Sequence, residues 1–284
     1  MSIHPRHARF TGAEGNRLEG DVYGHGERTA LLLHGGGQTR HAWRATARKL
    51  AERGFTAIPV DQRGHGDSAW VDTGAYAFQD FGDDAVALGR QIERQFGSKP
   101  VAIGASLGGL ASLHALGDAA CFSALVLVDI TPRMEQRGVA HVQNFMMARA
   151  KEGFASIDEA ADTVAAYLPH RTKPRSNEGL RKNLRQRADG RWYWHWDPRF
   201  FDGPRAVNSD PEQLVARLER AACGLTMPTL LVRGGSSDIV SPESAEAFLA
   251  LVPHARFIDV SGAGHMVAGD KNDVFADAIL AFLG

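Results

Sequence analysis

The sequence predicts an α/β fold, a mostly parallel sheet of eight strands with helices on both faces, and three observations lead there. Short runs rich in Val, Ile and Leu, bounded by Gly, Pro or Asp, alternate with stretches of helical periodicity, the pattern of parallel strands joined by crossover helices. Two strand-like segments precede the alternation without a helix between them. The alternation then breaks once, where a long stretch carries helical patterns and no convincing buried strand.

In chain order, residues 7–11 and 17–23 read as an antiparallel hairpin at one edge of the sheet. Residues 29–33, 55–60, 100–103, 124–128, 229–232 and 256–260 read as six buried parallel strands. Helices are expected at 41–53, 75–96, 107–116, 242–251 and 272–282. The break runs from Thr131 to Met227, with helical patterns at 139–151, 157–167, 177–187 and 211–220. A structureless loop of that length is implausible, so a helical cap is expected after the sixth strand. The core is then 1–130 with 221–284 and the insertion 131–220, its last helix also compatible with the core. The mouth of the insertion falls at the carboxyl edge of the sheet, where such folds bind ligands.

The 284 residues suffice for one large domain with an insertion, and 44% apolar with 23% charged residues suit a globular enzyme. The formal net charge is −1 and the basic residues are scattered, which argues against nucleic acid or an acidic membrane as the main partner. A locally basic stretch (Arg171, Lys173, Arg175, Arg181, Lys182, Arg185, Arg187) reads as a solvated helix face. Cys121 and Cys223 form no disulfide framework and lack zinc-site spacing, so a reducing compartment is expected. The N-terminus lacks the apolar stretch of a signal peptide and no run is long enough to span a bilayer, so a cytoplasmic enzyme is expected. A homodimer stays open.

Four motifs carry chemistry. Gly104-Ala105-Ser106-Leu107-Gly108 matches G-x-S-x-G between a strand and a helix, where a sharp turn presents a nucleophilic serine and the helix start offers free amides to an oxyanion. His34-Gly35-Gly36-Gly37 follows the strand 29–33. Its glycines allow close backbone approach to a substrate, and the amides of Gly36 and Leu107 are the expected oxyanion donors. No G-x-G-x-x-G or Gly-Lys-Ser/Thr accompanies this loop, which disfavours phosphate binding. Gly262-Ala263-Gly264-His265 follows the last strand and supplies a candidate base, whereas His34 and His65 read as loop-holding residues. Finally, Asp238 in Gly234-Gly235-Ser236-Ser237-Asp238 follows strand 229–232 and is the expected acid for His265. Asp129, at the end of strand 124–128, is the other carboxylate at that sheet edge. It reads as an anchor for the insertion through Thr131 or the backbone before Pro132.

With these motifs the core resembles the α/β-hydrolase superfamily, over nearly the whole chain except the insertion. It is most similar to the branch with a helical cap, which includes esterases, haloperoxidase-like perhydrolases, carbon–carbon bond hydrolases, epoxide hydrolases and haloalkane dehalogenases. Asp61-Gln62-Arg63-Gly64-His65-Gly66-Asp67-Ser68 is similar to that branch's structural loop after the fourth strand. The resemblance implies the order Ser106, Asp238, His265. Epoxide hydrolases and dehalogenases carry Asp where Ser106 stands, so serine implies acyl transfer.

The expected reaction is hydrolysis of a small or medium carboxylic ester through an acyl-enzyme on Ser106, without metal or organic cofactor. A carbon–carbon bond hydrolase, a lactonase or amidase, and a perhydrolase are alternatives on the same triad; an inactive ligand-binding member is a remote one. The insertion is expected to set the substrate. Trp192, Trp194 and Trp196, with Phe145 and Gly37, are the candidate pocket residues, and the three tryptophans read equally well as rings that fasten the insertion to the core.

Overall fold

A computed structural model describes residues 4–118, 120–167, 177–209, 211–266 and 272–284. Strands β1 (Arg6–Thr11) and β2 (Arg17–Val22) pair antiparallel, Arg6 opposite Val22 and Thr11 opposite Arg17. β3 (Arg28–Leu33) leads through a 3₁₀ turn at Arg40–Trp43 into α1 (Arg44–Glu52). β4 (Phe55–Val60), α2 (Phe78–Phe96), β5 (Val101–Ala105), α3 (Leu107–Asp118) and β6 (Ala124–Val128) follow. The chain then leaves the sheet for α4 (Gln136–Met147), α5 (Ile157–Tyr167), β7 (Leu184–Gln186), β8 (Trp192–Trp194), α6 (Arg199–Asp202) and α7 (Pro211–Cys223). It returns through β9 (Thr229–Gly234), α8 (Pro242–Leu251), β10 (Arg256–Val260) and α9 (Ala276–Leu283).

The eight-stranded sheet has the order β1-β2-β4-β3-β5-β6-β9-β10. The last six are mutually parallel, and β2 joins β4 antiparallel at Gly20–Val60. Strand periodicity sorts the core into two layers. Leu31, Leu33, Ile58, Val60, Leu125, Leu127 and Leu231 face one side, under Phe81, Ala85 and Leu88 of α2, Leu110 and Leu113 of α3, Leu218 of α7 and Phe248 of α8. Ala30, Leu32, Ala57, Ile103, Val126, Val128 and Val232 face the other, under Ala47 and Leu50 of α1 and Ile279 and Leu283 of α9. Burial of each Leu, Val, Ile or Phe in these layers is worth about 1.5–3 kcal/mol.

The insertion differs from the expected helices at one place. Residues 177–187 are not a helix. Asn177–Asn183 is a 3₁₀ segment, and Leu184–Gln186 pairs antiparallel with Trp192–Trp194. The reason is the period-2 alternation of Trp192, Trp194 and Trp196 with Tyr193 and His195, which suits a ribbon. Buried Phe145, Phe154, Leu184, Trp194, Trp196 and Phe200 continue the α2–α3 side of the core, so the insertion shares that hydrophobic layer. α7 packs on α3 and α8, as the boundary left open. Both cysteines are free, Cys121 buried and Cys223 exposed. Among the described residues no helix is long and apolar enough to cross a membrane.

Candidate active site

Ser106 occupies the turn between β5 and α3 with φ 47°, a left-handed conformation that non-glycine residues seldom adopt. The glycines around it are required by close approach. A Cβ at Gly104 would lie 2.3 Å from the Gly108 carbonyl oxygen, and one at Gly108 would lie 2.4 Å from that of Leu33. The strain is held from both sides. The Ser106 N–H donates to the Val128 carbonyl (3.2 Å), and Leu110 N–H donates to the Ser106 carbonyl (3.0 Å). Ser106 is partly exposed, so a substrate can reach it. Leu107 opens α3, so its N–H is among the first-turn donors that have no partner within the helix.

The His34–Gly37 loop is aimed by side chains beneath it. His34 is fully buried. Its Nε2 accepts the Gln62 N–H (3.1 Å), so the ring proton is on Nδ1, which donates to the Gly35 carbonyl (2.7 Å). The Gln38 N–H donates to the same carbonyl (3.1 Å). In a trans peptide the Gly36 N–H points opposite the Gly35 carbonyl, away from His34. Gly37 turns the loop with φ 75°. A Cβ at Gly35 would be 3.4 Å from the Ser106 Cβ, which puts this loop against the serine. Burial lowers the His34 imidazole to about 4 and that of neighbouring His65 to about 3, so both are neutral loop holders. His65 Nδ1 bonds the Arg63 carbonyl (3.0 Å), in keeping with the loop-holding role read for both histidines.

His265, beyond β10, is buried, and its Nδ1 lies 2.7 Å from Oδ2 of Asp129. The expected partner, Asp238, is not there. Its side chain is about half exposed and, among the described residues, makes a 3.4 Å contact with His141 Nδ1 on α4. Two local features decide this. Ser237 Oγ accepts the N–H groups of Ile239 (3.2 Å) and Val240 (3.1 Å), a tight turn that carries residue 238 outward against Gly138. Asp129, at φ 53°, turns its carboxylate sideways into the next loop. There Oδ1 accepts the Gly234 N–H (2.9 Å), and Oδ2 accepts both Ser237 Oγ–H (2.8 Å) and the histidine. Asp129 therefore does not anchor the insertion, and Thr131 Oγ1 instead donates to the Arg133 carbonyl (2.5 Å). A carboxylate accepting at Nδ1 fixes the proton there and leaves Nε2 basic.

Comparison with known proteins gives the family. The family model described as "Alpha/beta hydrolase family" matches residues 30–278. The chain belongs to the alpha/beta hydrolase family. It is 31% identical over 253 residues to an esterase of Mycobacterium tuberculosis, covering 85% of this chain and 78% of that one. It is 29% identical over 257 residues to the 2-(acetamidomethylene)succinate hydrolase of Mesorhizobium japonicum, covering 89% and 87%. The crystal structure of an E-2-(acetamidomethylene)succinate hydrolase superposes with a TM-score of 0.82 at 25% identity over 99% of both chains. A structure of the M. tuberculosis esterase gives 0.72 at 27% identity, covering 100% of this chain and 93% of that one. The protein is a hydrolase.

In this alpha/beta hydrolase Met146 and Phe200 stand nearest Gly36 of the His34–Gly37 loop. A Cβ at Gly36 would meet Met146 Cε at 3.5 Å and Phe200 Cζ at 3.7 Å. Three of the expected pocket residues, Phe145, Trp194 and Trp196, pack against other rings. Phe145 stacks on Tyr167 (4.3 Å between centroids) and meets Trp194 edge-on, while Trp194 also packs on Phe154 (5.1 Å). Trp196 packs edge-on against Phe200 and Phe201. Half-buried Trp192 exchanges backbone bonds with Phe154 and lies under the Arg181 guanidinium. The 195–197 segment is tied to the Gly64–Gly66 loop through Gly66 N–H to the His195 carbonyl (2.9 Å) and Asp197 N–H to the Gly64 carbonyl (2.8 Å). Of the basic stretch, Arg185 pairs with Asp67 (3.1 Å) and Arg187 lies 3.9 Å over Tyr193, while Arg171, Lys173 and Arg175 are outside the described residues. Met146 follows Phe145 on α4, and Phe200 follows the three tryptophans whose rings read equally well as pocket and as packing.

Proposed function

We propose that this enzyme hydrolyses small to medium carboxylic esters, with Ser106 as nucleophile, His265 as base and Asp129 as the acid that orients it. The observation carrying the reading is the 2.7 Å bond from His265 Nδ1 to a carboxylate, one strand away from a serine on a strained turn. His265 Nε2 takes the Ser106 hydroxyl proton as Oγ attacks the ester carbonyl carbon. The amides of Gly36 and Leu107 hold the resulting oxyanion. Collapse breaks the ester C–O bond, the imidazolium protonates the departing alkoxide, and water repeats the cycle on the acyl-enzyme. Met146 and Phe200, close over Gly36, support a confined apolar pocket and hence small acyl or alcohol groups. Phe145, Trp194 and Trp196 back that wall. Two free cysteines suit a reducing compartment, so a cytoplasmic location is part of the reading.

The relative named for 2-(acetamidomethylene)succinate motivates a second reading, hydrolysis of an acetamidomethylene acid. Against it, the buried arginines near the loop are already engaged, Arg40 by Asp61 and Asp67 and Arg63 by Asp84. The test is labelling by a fluorophosphonate together with turnover of p-nitrophenyl acetate and butyrate. Labelling at Ser106 is expected, with loss of about 10³-fold or more in turnover for Ser106→Ala. A folded Ser106→Ala enzyme within about tenfold of wild type would remove the acyl-enzyme from the reading.

A further inference from the structure

The turn that carries Asp238 away from the histidine leaves Ser237 beneath the triad. We infer that Ser237 is a positioning residue that sets the direction and the basicity of the Asp129 carboxylate; this rests on the ester-hydrolase reading above. The hydroxyl's geometry is fully determined. Its oxygen already accepts two backbone N–H groups, from Ile239 and Val240, so its lone pairs are spent. Its hydrogen has one remaining partner, Asp129 Oδ2 at 2.8 Å. That is the same oxygen that receives His265 Nδ1–H, at 2.7 Å. With Gly234 N–H on Oδ1, the carboxylate is held at both oxygens from the β9 loop, and it cannot rotate without giving up a charge-assisted bond.

The chemical consequence is a divided charge. A donor on Oδ2 withdraws electron density from the oxygen facing the imidazole, so the imidazolium is less stabilised than beside a bare carboxylate. Among the described residues, the other ionisable groups packed around this loop are paired elsewhere. Arg233 on β9 binds Asp259 of β10 (2.5 Å) and the Val240 carbonyl, and Asp238 contacts His141 of α4. Glu135, just before α4, takes the Ser244 hydroxyl. Ser237 is thus the group next to Asp129 whose removal changes the histidine without changing a formal charge.

The experiment measures kcat/KM for p-nitrophenyl acetate against pH, and the rate of fluorophosphonate labelling, in wild type, Ser237→Ala, Ser237→Thr and His141→Gln. Losing a hydrogen bond to a charged group predicts a fall of about tenfold to a hundredfold for Ser237→Ala. The low-pH limb moves upward by about half a pH unit or more, because the unshared carboxylate favours the imidazolium. Ser237→Thr, which keeps the hydroxyl, recovers most of the rate. If the alanine variant does not fold, Ser237→Cys, with its weak donor, carries the same expectation. A folded alanine variant with an unmoved limb overturns the inference, as does an equal shift of the limb in His141→Gln. Wild type that is not labelled at Ser106 overturns the ester-hydrolase reading itself, and the inference with it.

Discussion

Replacing each of the two candidate carboxylates by its amide separates their roles. In Asp129→Asn the oxygen that bonds His265 Nδ1 at 2.7 Å is lost or becomes an NH₂ group. Gly234 N–H and Ser237 Oγ–H both need an acceptor at this side chain, and a neutral amide has only one oxygen to serve them and the histidine. An NH₂ turned toward the imidazole forces the proton onto Nε2, the tautomer that cannot accept from serine. In the best-studied serine triad that substitution costs about 10⁴-fold in kcat, equivalent to about 5 kcal/mol at 1.36 kcal/mol per decade. Asp238→Asn removes only an exposed contact at 3.4 Å. Exposed pairs are worth at most about 1 kcal/mol, so activity within about fivefold of wild type is expected. The assay is kcat and kcat/KM for p-nitrophenyl acetate, with a thermal melt of each variant to establish folding. If a folded Asp129→Asn enzyme keeps kcat within about tenfold, the assignment of the acid from geometry is wrong. A loss of orders of magnitude in Asp238→Asn would restore that residue to the triad.

Three further outcomes follow from the packing and from buried His34. Trp194, buried between Phe145 and Phe154, should cost about 3–5 kcal/mol as Trp194→Ala while leaving the acetate-to-butyrate ratio of kcat/KM unchanged. Met146→Ala, by opening the space over Gly36, should lower that ratio in favour of butyrate, and an unchanged ratio would take Met146 out of the pocket wall. Burial holds the His34 imidazole at about 4 against an ordinary 6.5, so the unfolded chain binds a proton below pH 6.5 that the folded chain refuses until about pH 4. The stability from this group is complete above pH 6.5 and falls by about 3 kcal/mol as the pH drops to 4. Melting temperature against pH should show that decline, flattened in His34→Gln, and a flat wild-type profile down to pH 4.5 would contradict it.

Much of this architecture was legible in the chain because it depends on short-range rules. Short Val-, Ile- and Leu-rich runs bounded by Gly, Pro or Asp marked all six parallel strands, and the strand–Gly-x-Ser-x-Gly–helix junction marked Ser106, since the turn's backbone tolerates few other residue types. The same holds for His265, which follows a strand end between glycines. The tryptophan ribbon was legible in principle, because Trp192, Trp194 and Trp196 alternate at strand spacing, but helical periodicity on either side concealed it. What the sequence alone could not decide was which of two strand-end aspartates serves the histidine. Asp129 and Asp238 each follow a parallel strand at the same sheet edge, and the two strands are neighbours. The choice lies in backbone angles and in a third loop: φ 53° at Asp129 turns its carboxylate onto Gly234 and Ser237, and the Ser237 turn sends Asp238 outward to α4. Such hydrogen bonds join residues a hundred positions apart, so they exist only once β6 and β9 are side by side.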